Sequence, residues 1–201
     1  MLADSFVDMY MAGKLTGKRK TLQKGKMTYT FAMGTAKLYN FLDNKRACSI
    51  FPANYANHPS VIAKNDNVAA INNGVEADLF GQGCSESFGV RQISGTGGQF
   101  DFIFRAYKSN GGKTFVCLSS TVKSNGNEVS RVKPTLTPGA TVTIPRSITS
   151  YIVTEYGVVN IKGKSTYERA EETINIAHTD FRGDLIREAD AMNIWRWSNK
   201  K

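Results

Sequence analysis

The order of periodicities along this 201-residue chain predicts a layered fold of the α/β or α+β type. Three observations carry that reading. Largely apolar, β-prone segments recur from Val68 to Val158, helical spacing takes over at Ser165, and a glycine cluster separates strand-like Gln92-Ile93 from an apolar run through Phe102 and Ile103. The chain is 41% apolar and 21% charged, the balance of one globular domain with a real core.

Taken in order, Ala3–Ala12 has helical spacing, with Leu2, Phe6, Met9 and Tyr10 on one side and Gly13 as its stop. Met27–Met33 reads as a strand and Thr35–Leu42 as a short helix; Pro59–Lys64 starts another with proline in its first turn. Asn73-Gly74 lies between VAAIN and VEADLF, which predicts a β-hairpin. Strands are expected at Thr114–Ser119, followed by a turn at Lys123–Gly126, and at Ala140–Ile144. Ser150–Val158 reads as one buried strand. Ser165 and Glu168 form a capping box that opens a helix to about Ala177. Asp180 is expected to cap a second helix with Leu185, Ile186 and Ala189 inward, and the tail with Trp195 and Trp197 must pack on something.

Gly95, Gly97 and Gly98 fall within four positions, so backbone N–H groups there can converge on a phosphate or a developing oxyanion without Cβ obstruction. Spacing alone serves a tight turn equally well, and the segment is neither a Walker loop nor a full dinucleotide fingerprint. Net charge is +9, with Lys14, Lys18, Arg19, Lys20, Lys24 and Lys26 clustered. No stacking aromatics interleave with them and no nucleic-acid motif accompanies them, so they read as a solvated loop or a face for an acidic partner. Cys48, Cys84 and Cys117 make neither a disulfide framework nor a zinc site, and no metal is expected; free buried thiols in a reducing cytoplasm fit best. No apolar run approaches the roughly 20 residues a bilayer requires. The first residues, MLADSFVDMYMAGK, lack the basic start of a signal peptide.

Several segments together resemble one family. They include TLQKGK (21–26), ANHPSVIAKNDN (56–67), VEADLFGQGCSES (75–87), QISGTGGQFDF (92–102), SSTVKSNG (119–126) and YIVTEYGVVNIKGKSTYERAEETINIAHTDFR (151–182). The chain is similar to the C-terminal half of the acetyl-CoA hydrolase/transferase family over essentially its whole length. Within it, the likeness is greatest to the 4-hydroxybutyrate and butyryl-CoA:acetate CoA-transferases of anaerobic bacteria.

The resemblance implies an α/β fold with a mixed, largely parallel sheet flanked by helices, spanning residues 1–201 as one C-terminal domain. It also implies ping-pong transfer of coenzyme A from an acyl-CoA to a small carboxylate. A glutamate attacks the thioester to give an acyl-glutamyl anhydride and CoA thiolate; the thiolate then forms a glutamyl-CoA thioester. Gly98 falls where the family places an oxyanion-hole amide, with Gly95 and Gly97 beside it. Asn57 and Lys123 fall where relatives contact CoA. By themselves they read as a turn asparagine and a solvated lysine.

The nucleophilic glutamate of the family would lie just before Met1, and the N-terminal half is absent. Glu155 reads as a motif residue supporting the site, and Glu76 and Glu86 have no partner base in view. His58 is a candidate cofactor contact, whereas His178 is expected to close a helix. HTDFR at 178–182 departs from the family's HPDFR, and the bulky 103–107 segment departs from a small-residue pattern. The expectation is a cytoplasmic transferase module that takes CoA as substrate rather than as a bound cofactor. It would act with an N-terminal half or second subunit, homo-oligomeric at full length, with no membrane or nucleic-acid partner. The alternatives are a CoA-binding remnant without its nucleophile and a basic nucleic-acid module.

Overall fold

The structure is a computed structural model and describes residues 1–195. The chain forms two compact units, Met1–Val68 with Lys108–Gly112, and Ala69–Tyr107 with Lys113 onward.

In the first unit, α1 (Asp4–Met11), β1 (Met27–Tyr29), α2 (Ala36–Leu42), β2 (Cys48–Ile50), α3 (Ala53–Ala56) and α4 (Pro59–Ile62) surround a small core of Leu2, Val7, Met27 and Leu38. β1 and β2 pair in parallel. Gly13, at φ +70°, follows α1 as its spacing predicts. Phe6 and Tyr10 pack on the core, but Met9 points outward. Asp4 accepts hydrogen bonds from the Thr35 amide (3.0 Å) and hydroxyl (2.9 Å), which joins the starts of α1 and α2. The strand expected over 27–33 stops at Tyr29; beyond it, Ala32 bridges only to Leu2.

The second unit holds β3 (Ala69–Asn73), β4 (Glu76–Asp78), β5 (Gly83–Cys84), β6 (Ser87–Phe88), β7 (Arg91–Gln92), α5 (Gln99–Lys108, whose last residue falls in the first unit) and β8 (Lys113–Cys117). Then come β9 (Thr121–Ser124), β10 (Asn127–Ser130), β11 (Val132–Lys133), β12 (Tyr151–Thr154), β13 (Gly157–Asn160), α6 (Thr166–Asn175) and α7 (Thr179–Ala191). The principal sheet runs β13-β12-β8-β3, with β3, β8 and β12 parallel and β13 antiparallel at one edge. A smaller sheet, β11-β4-β5, is also mixed. The mixed α/β expectation holds, with the strands distributed over several small sheets. Thr114, Val116, Ile152 and Val159 are buried, and beneath the sheet Ile152 and Val159 cluster with Leu118, Ile161 and Ile176. A second cluster joins Leu79 and Val132 to Ala170, Ile174, Leu185 and Ala189 of the last two helices, with Ile186 and Trp195 packed against it. Trp197 lies outside the described residues.

Local details correct several expectations. Asn73-Gly74 is not a hairpin turn: β3 and β4 belong to different sheets, because the Gly74 amide extends the β3·β8 ladder to Cys117 (2.8 Å) and the Val75 amide turns to Cys84 (2.7 Å). Ser150–Val158 is not one strand but the β12–β13 hairpin, since Glu155 and Tyr156 form a turn. Ala140–Ile144 forms no strand; only Ile144 bridges, reciprocally to Gly83, before Pro145. The turn placed at 123–126 is tighter, with Asn125 and Gly126 at φ +50° and +80° between β9 and β10, so Lys123 lies on a strand. The Ser165–Glu168 capping box is present and opens α6. His178, expected to close that helix, instead caps α7 by accepting from the Asp180 amide, a role expected of Asp180 itself. An acceptor is what the exposed N–H groups of a helix start require.

Candidate functional site

The glycine loop is built from the chain on either side of it. Glu86 anchors its approach, because its carbonyl accepts from the amides of Ile93 (2.8 Å) and Ser94 (3.1 Å). That approach is laced to residues 141–143: the Ser85 amide donates to the Thr143 hydroxyl (2.9 Å), and the Thr141 amide to the Ser87 hydroxyl (2.9 Å). Gly95 is exposed, and a side chain there would meet nothing. Gly97 sits at φ +57°, where an L side chain is strained, so glycine is required by backbone conformation. Gly98 is half-buried, and its carbonyl accepts from Phe102 (3.2 Å), placing it at the opening of α5. The three glycines thus form one connected loop that ends at a helix N-terminus, the positive end of the helix dipole.

The bulky 103–107 segment is explained by this helix. Ile103 and Ala106 are fully buried, while Phe104 stacks on Phe100 at 5.7 Å and has the Arg105 guanidinium 4.7 Å from its ring centre. Its bulk therefore anchors α5.

Lys123 is exposed on β9, opposite Glu128 of β10. Asn57 belongs to the first unit, where its amide closes α3 onto Ala53 (2.9 Å) and its side chain is half-buried. Beside it, the His58 ring caps α4 through Ser60. Of the six clustered basic residues, Lys20 donates to the Lys26 carbonyl and the Thr28 hydroxyl (both 2.9 Å), and Lys26 donates to the Arg46 carbonyl. Burial lowers the pKa of Lys20. These two lysines tie their loop together. Lys20 also lines a cavity of about 300 Å³ with Met1, Phe6, Tyr10 and Leu15.

The three acidic residues considered above are all engaged. Glu76 is 1% exposed and accepts from the Thr137 amide (2.8 Å) and hydroxyl (2.7 Å). Glu86 is buried and accepts from the Thr143 hydroxyl (3.3 Å). Glu155 accepts from the amide and hydroxyl of buried Ser120. Desolvation pushes the Glu155 carboxyl up, but hydrogen bonds from Ser120 and its own backbone, with His178 nearby, more than offset this and leave its pKa below the ordinary value.

Arg131 was not singled out by its sequence context, yet it joins this network. Its Nε–H and Nη2–H groups donate to the carbonyls of Val75 (2.6 Å) and Gly74 (2.8 Å), and Nη1–H to the Ser119 hydroxyl (2.7 Å). Burial lowers its pKa, against the upward pull of Glu155 and Glu76. Among the described residues no group of three or more His, Cys, Asp or Glu is arranged to hold a metal ion.

The chain is 51% identical over 200 residues to a probable butyrate:acetyl-CoA coenzyme A-transferase of Syntrophomonas wolfei, covering 100% of this chain and 45% of that protein. It is also 51% identical over 201 residues to the butyryl-CoA:acetate CoA-transferase of Anaerostipes caccae, with the same coverage. Among solved structures, RipA from Yersinia pestis superposes with a TM-score of 0.88 at 42% identity, over 96% of this chain and 43% of that one. The 4-hydroxybutyrate CoA-transferase of Porphyromonas gingivalis gives 0.80 at 34% identity, over 96% and 44%. The chain thus spans about half the length of the relatives it matches. The family model of the acetyl-CoA hydrolase/transferase C-terminal domain covers residues 34–189, and the chain belongs to that family.

Proposed function

We propose that this chain is the CoA-binding C-terminal module of an acyl-CoA:carboxylate CoA-transferase acting on butyrate-type and acetate-type acids. The observation that carries this reading is 51% identity, sustained along the whole chain, to transferases named for butyrate and acetate. In the proposed mechanism, a glutamate supplied from outside residues 1–201 attacks the acyl-CoA carbonyl. The Gly98 amide donates to the oxyanion of the tetrahedral intermediate, with Gly95 and Gly97 keeping side chains out of its approach. Collapse expels CoA thiolate and leaves the acyl-glutamyl anhydride; the thiolate then attacks the glutamyl carbonyl, releasing the acyl group as carboxylate. Lys123 and Asn57 contribute contacts to CoA, the lysine as a point charge for a phosphate.

The test joins this chain to the portion of the Anaerostipes caccae enzyme that it does not match and follows isotope-labelled acetate into acetyl-CoA with butyryl-CoA as donor. Exchange is expected, with a borohydride-sensitive adduct formed on acyl-CoA; absence of both in a folded protein that binds CoA rejects the transferase reading. Replacing Gly98 by valine keeps the backbone amide but puts a branched side chain where the thioester must approach, and should lower kcat by about 100-fold through misplacement of the reacting carbonyl.

One observation favours a second reading, a CoA-binding subunit without chemistry of its own. Glu76 and Glu86 are buried, and Glu155 is held by Ser120, so none of these three is placed as a free nucleophile. CoA binding by the 201-residue chain without adduct formation is the outcome it expects.

A further inference from the structure

We propose that the side-chain amide of Gln99 is a second donor at the glycine loop, turning out to the thioester carbonyl of a bound acyl-CoA beside the Gly98 amide. This rests on the transferase reading above and adds to it a side chain that recognises the reacting oxygen.

Gln99 is the first residue of α5 and directly follows Gly98. Helical periodicity puts it on the same side as Ile103 and Ala106, four and seven positions on, both fully buried. Helix side chains lean toward the N-terminus, so this one reaches back over the loop rather than along α5. The residue is half-buried, and its Nε2 has neither solvent contact nor a hydrogen-bond partner among the described residues. Asp101 cannot serve as its acceptor, because residues two apart on a helix do not face each other. The neighbouring polar side chains of the loop are satisfied: the Gln92 amide donates to the Ser94 carbonyl, and the Ser94 hydroxyl to the Gly95 carbonyl (3.2 Å).

A buried donor without an acceptor is rare and weakens the fold that holds it. At the mouth of this loop it has a use. Turning Gln99 outward breaks no hydrogen bond, so a ligand oxygen recruits it without a compensating loss. Space is available, since a Cβ added at Gly95 or Gly97 would meet nothing within 4 Å. The loop amides and Gln99 are all donors, and together they suit one oxygen that gains negative charge, the thioester oxygen as it becomes a tetrahedral oxyanion. Arg105, whose Nε is also hidden and unpaired, is no rival for this role: it lies six residues, about 9 Å, farther along α5.

The test uses the chain joined to the unmatched portion of the Anaerostipes caccae enzyme and compares it with the same protein carrying Gln99→Met, which keeps the side-chain length and removes the donor. Labelled acetate is followed into acetyl-CoA with butyryl-CoA as donor. Binding of butyryl-CoA is measured against S-butyl-CoA, the thioether that lacks the carbonyl oxygen. Gln99→Met should lower the ratio of the two affinities about tenfold, the worth of one hydrogen bond, and kcat about 100-fold. Its thermal midpoint should stay level or rise, because the variant removes a buried donor that had no acceptor. A purely structural side chain gives the opposite pattern, midpoint and activity falling together, and that result overturns the proposal. An unchanged affinity ratio, or a kcat within about threefold of the parent, also overturns it. If Gln99→Met does not fold, Gln99→Glu, of the same shape but with no donor at neutral pH, takes its place with the same two losses expected. Exchange absent from the parent, with a ratio that the variant lowers, rejects only the transferase reading; exchange in the parent, with a ratio that the variant leaves alone, rejects only this one.

Discussion

Residues 73–74 and 125–126 are both Asn-Gly, and the protein uses them in different ways. At 125–126 both residues take positive φ, +50° and +80°, the signature of a type I′ turn, and β9 and β10 pair across it in full register. A side chain at Gly126 would meet nothing. At 73–74 neither residue is in the left-handed region. The Gly74 amide continues one sheet, the next residue starts another, and a Cβ on Gly74 would sit 3.0 Å from Val116. The difference teaches that this dipeptide offers a reversal, and surrounding hydrogen bonds decide whether the chain takes it. At the sheet switch Arg131 supplies the competing interactions, by donating to both Gly74 and Val75 carbonyls.

Four substitutions probe that contrast. Arg131→Ala strips two part-buried carbonyls of their donor and should cost about 3 kcal/mol, measured by denaturant unfolding. A loss below about 1 kcal/mol would mean that the ladder alone sets the switch. Gly74→Val overpacks the space beside Val116 and should cost about 2 kcal/mol, again by unfolding. Gly126→Ala encounters no neighbour, so only the left-handed backbone opposes it, and about 1 kcal/mol is expected. If it proved as costly as Gly74→Val, steric contact would not be what separates the two sites.

The smallest effect belongs to Glu155, which holds Ser120, the residue whose carbonyl receives the Arg131 amide (2.7 Å). Its pKa is depressed in the folded protein. Its contribution is therefore present above the unfolded value of about 4.3 and is lost as pH falls through the lower folded value. Because the residue is exposed, Glu155→Gln should cost less than about 1 kcal/mol at neutral pH. The difference in thermal midpoint between the two proteins should vanish on acidification; a difference that persists in acid would show that the carboxylate charge is not what matters.

How much of this was legible depended on how far apart the interacting residues lie in the chain. The capping box is written within four residues, Ser165 to Glu168, and the structure contains it. Gly13 stops α1, and the apolar positions of α7 pack inward, for the same local reasons. Asn73-Gly74 misled because Cys117 and Arg131, its hydrogen-bonding partners, and Cys84, which accepts from the next residue, Val75, are remote in sequence. Ser150–Val158 misled because two short β-prone strands in a hairpin have the composition of one longer strand. At the candidate site, the backbone need for glycine at position 97 was readable from local sequence. The Ser120–Glu155 and Arg131 contacts were not, since nothing near those residues marks their partners.

Asn73-Gly74 and Asn125-Gly126 should also age differently. Deamidation begins when the backbone nitrogen after asparagine attacks the side-chain amide carbon, expelling ammonia through a cyclic imide that opens largely to isoaspartate. At Asn73 that nitrogen is committed to Cys117, and the flanking backbone is held between two sheets. Asn125 stands exposed at a hairpin tip beside an unobstructed glycine. Stored protein should therefore accumulate isoaspartate at 125 well before 73, and that damage would insert an extra backbone carbon and a negative charge two residues from Lys123.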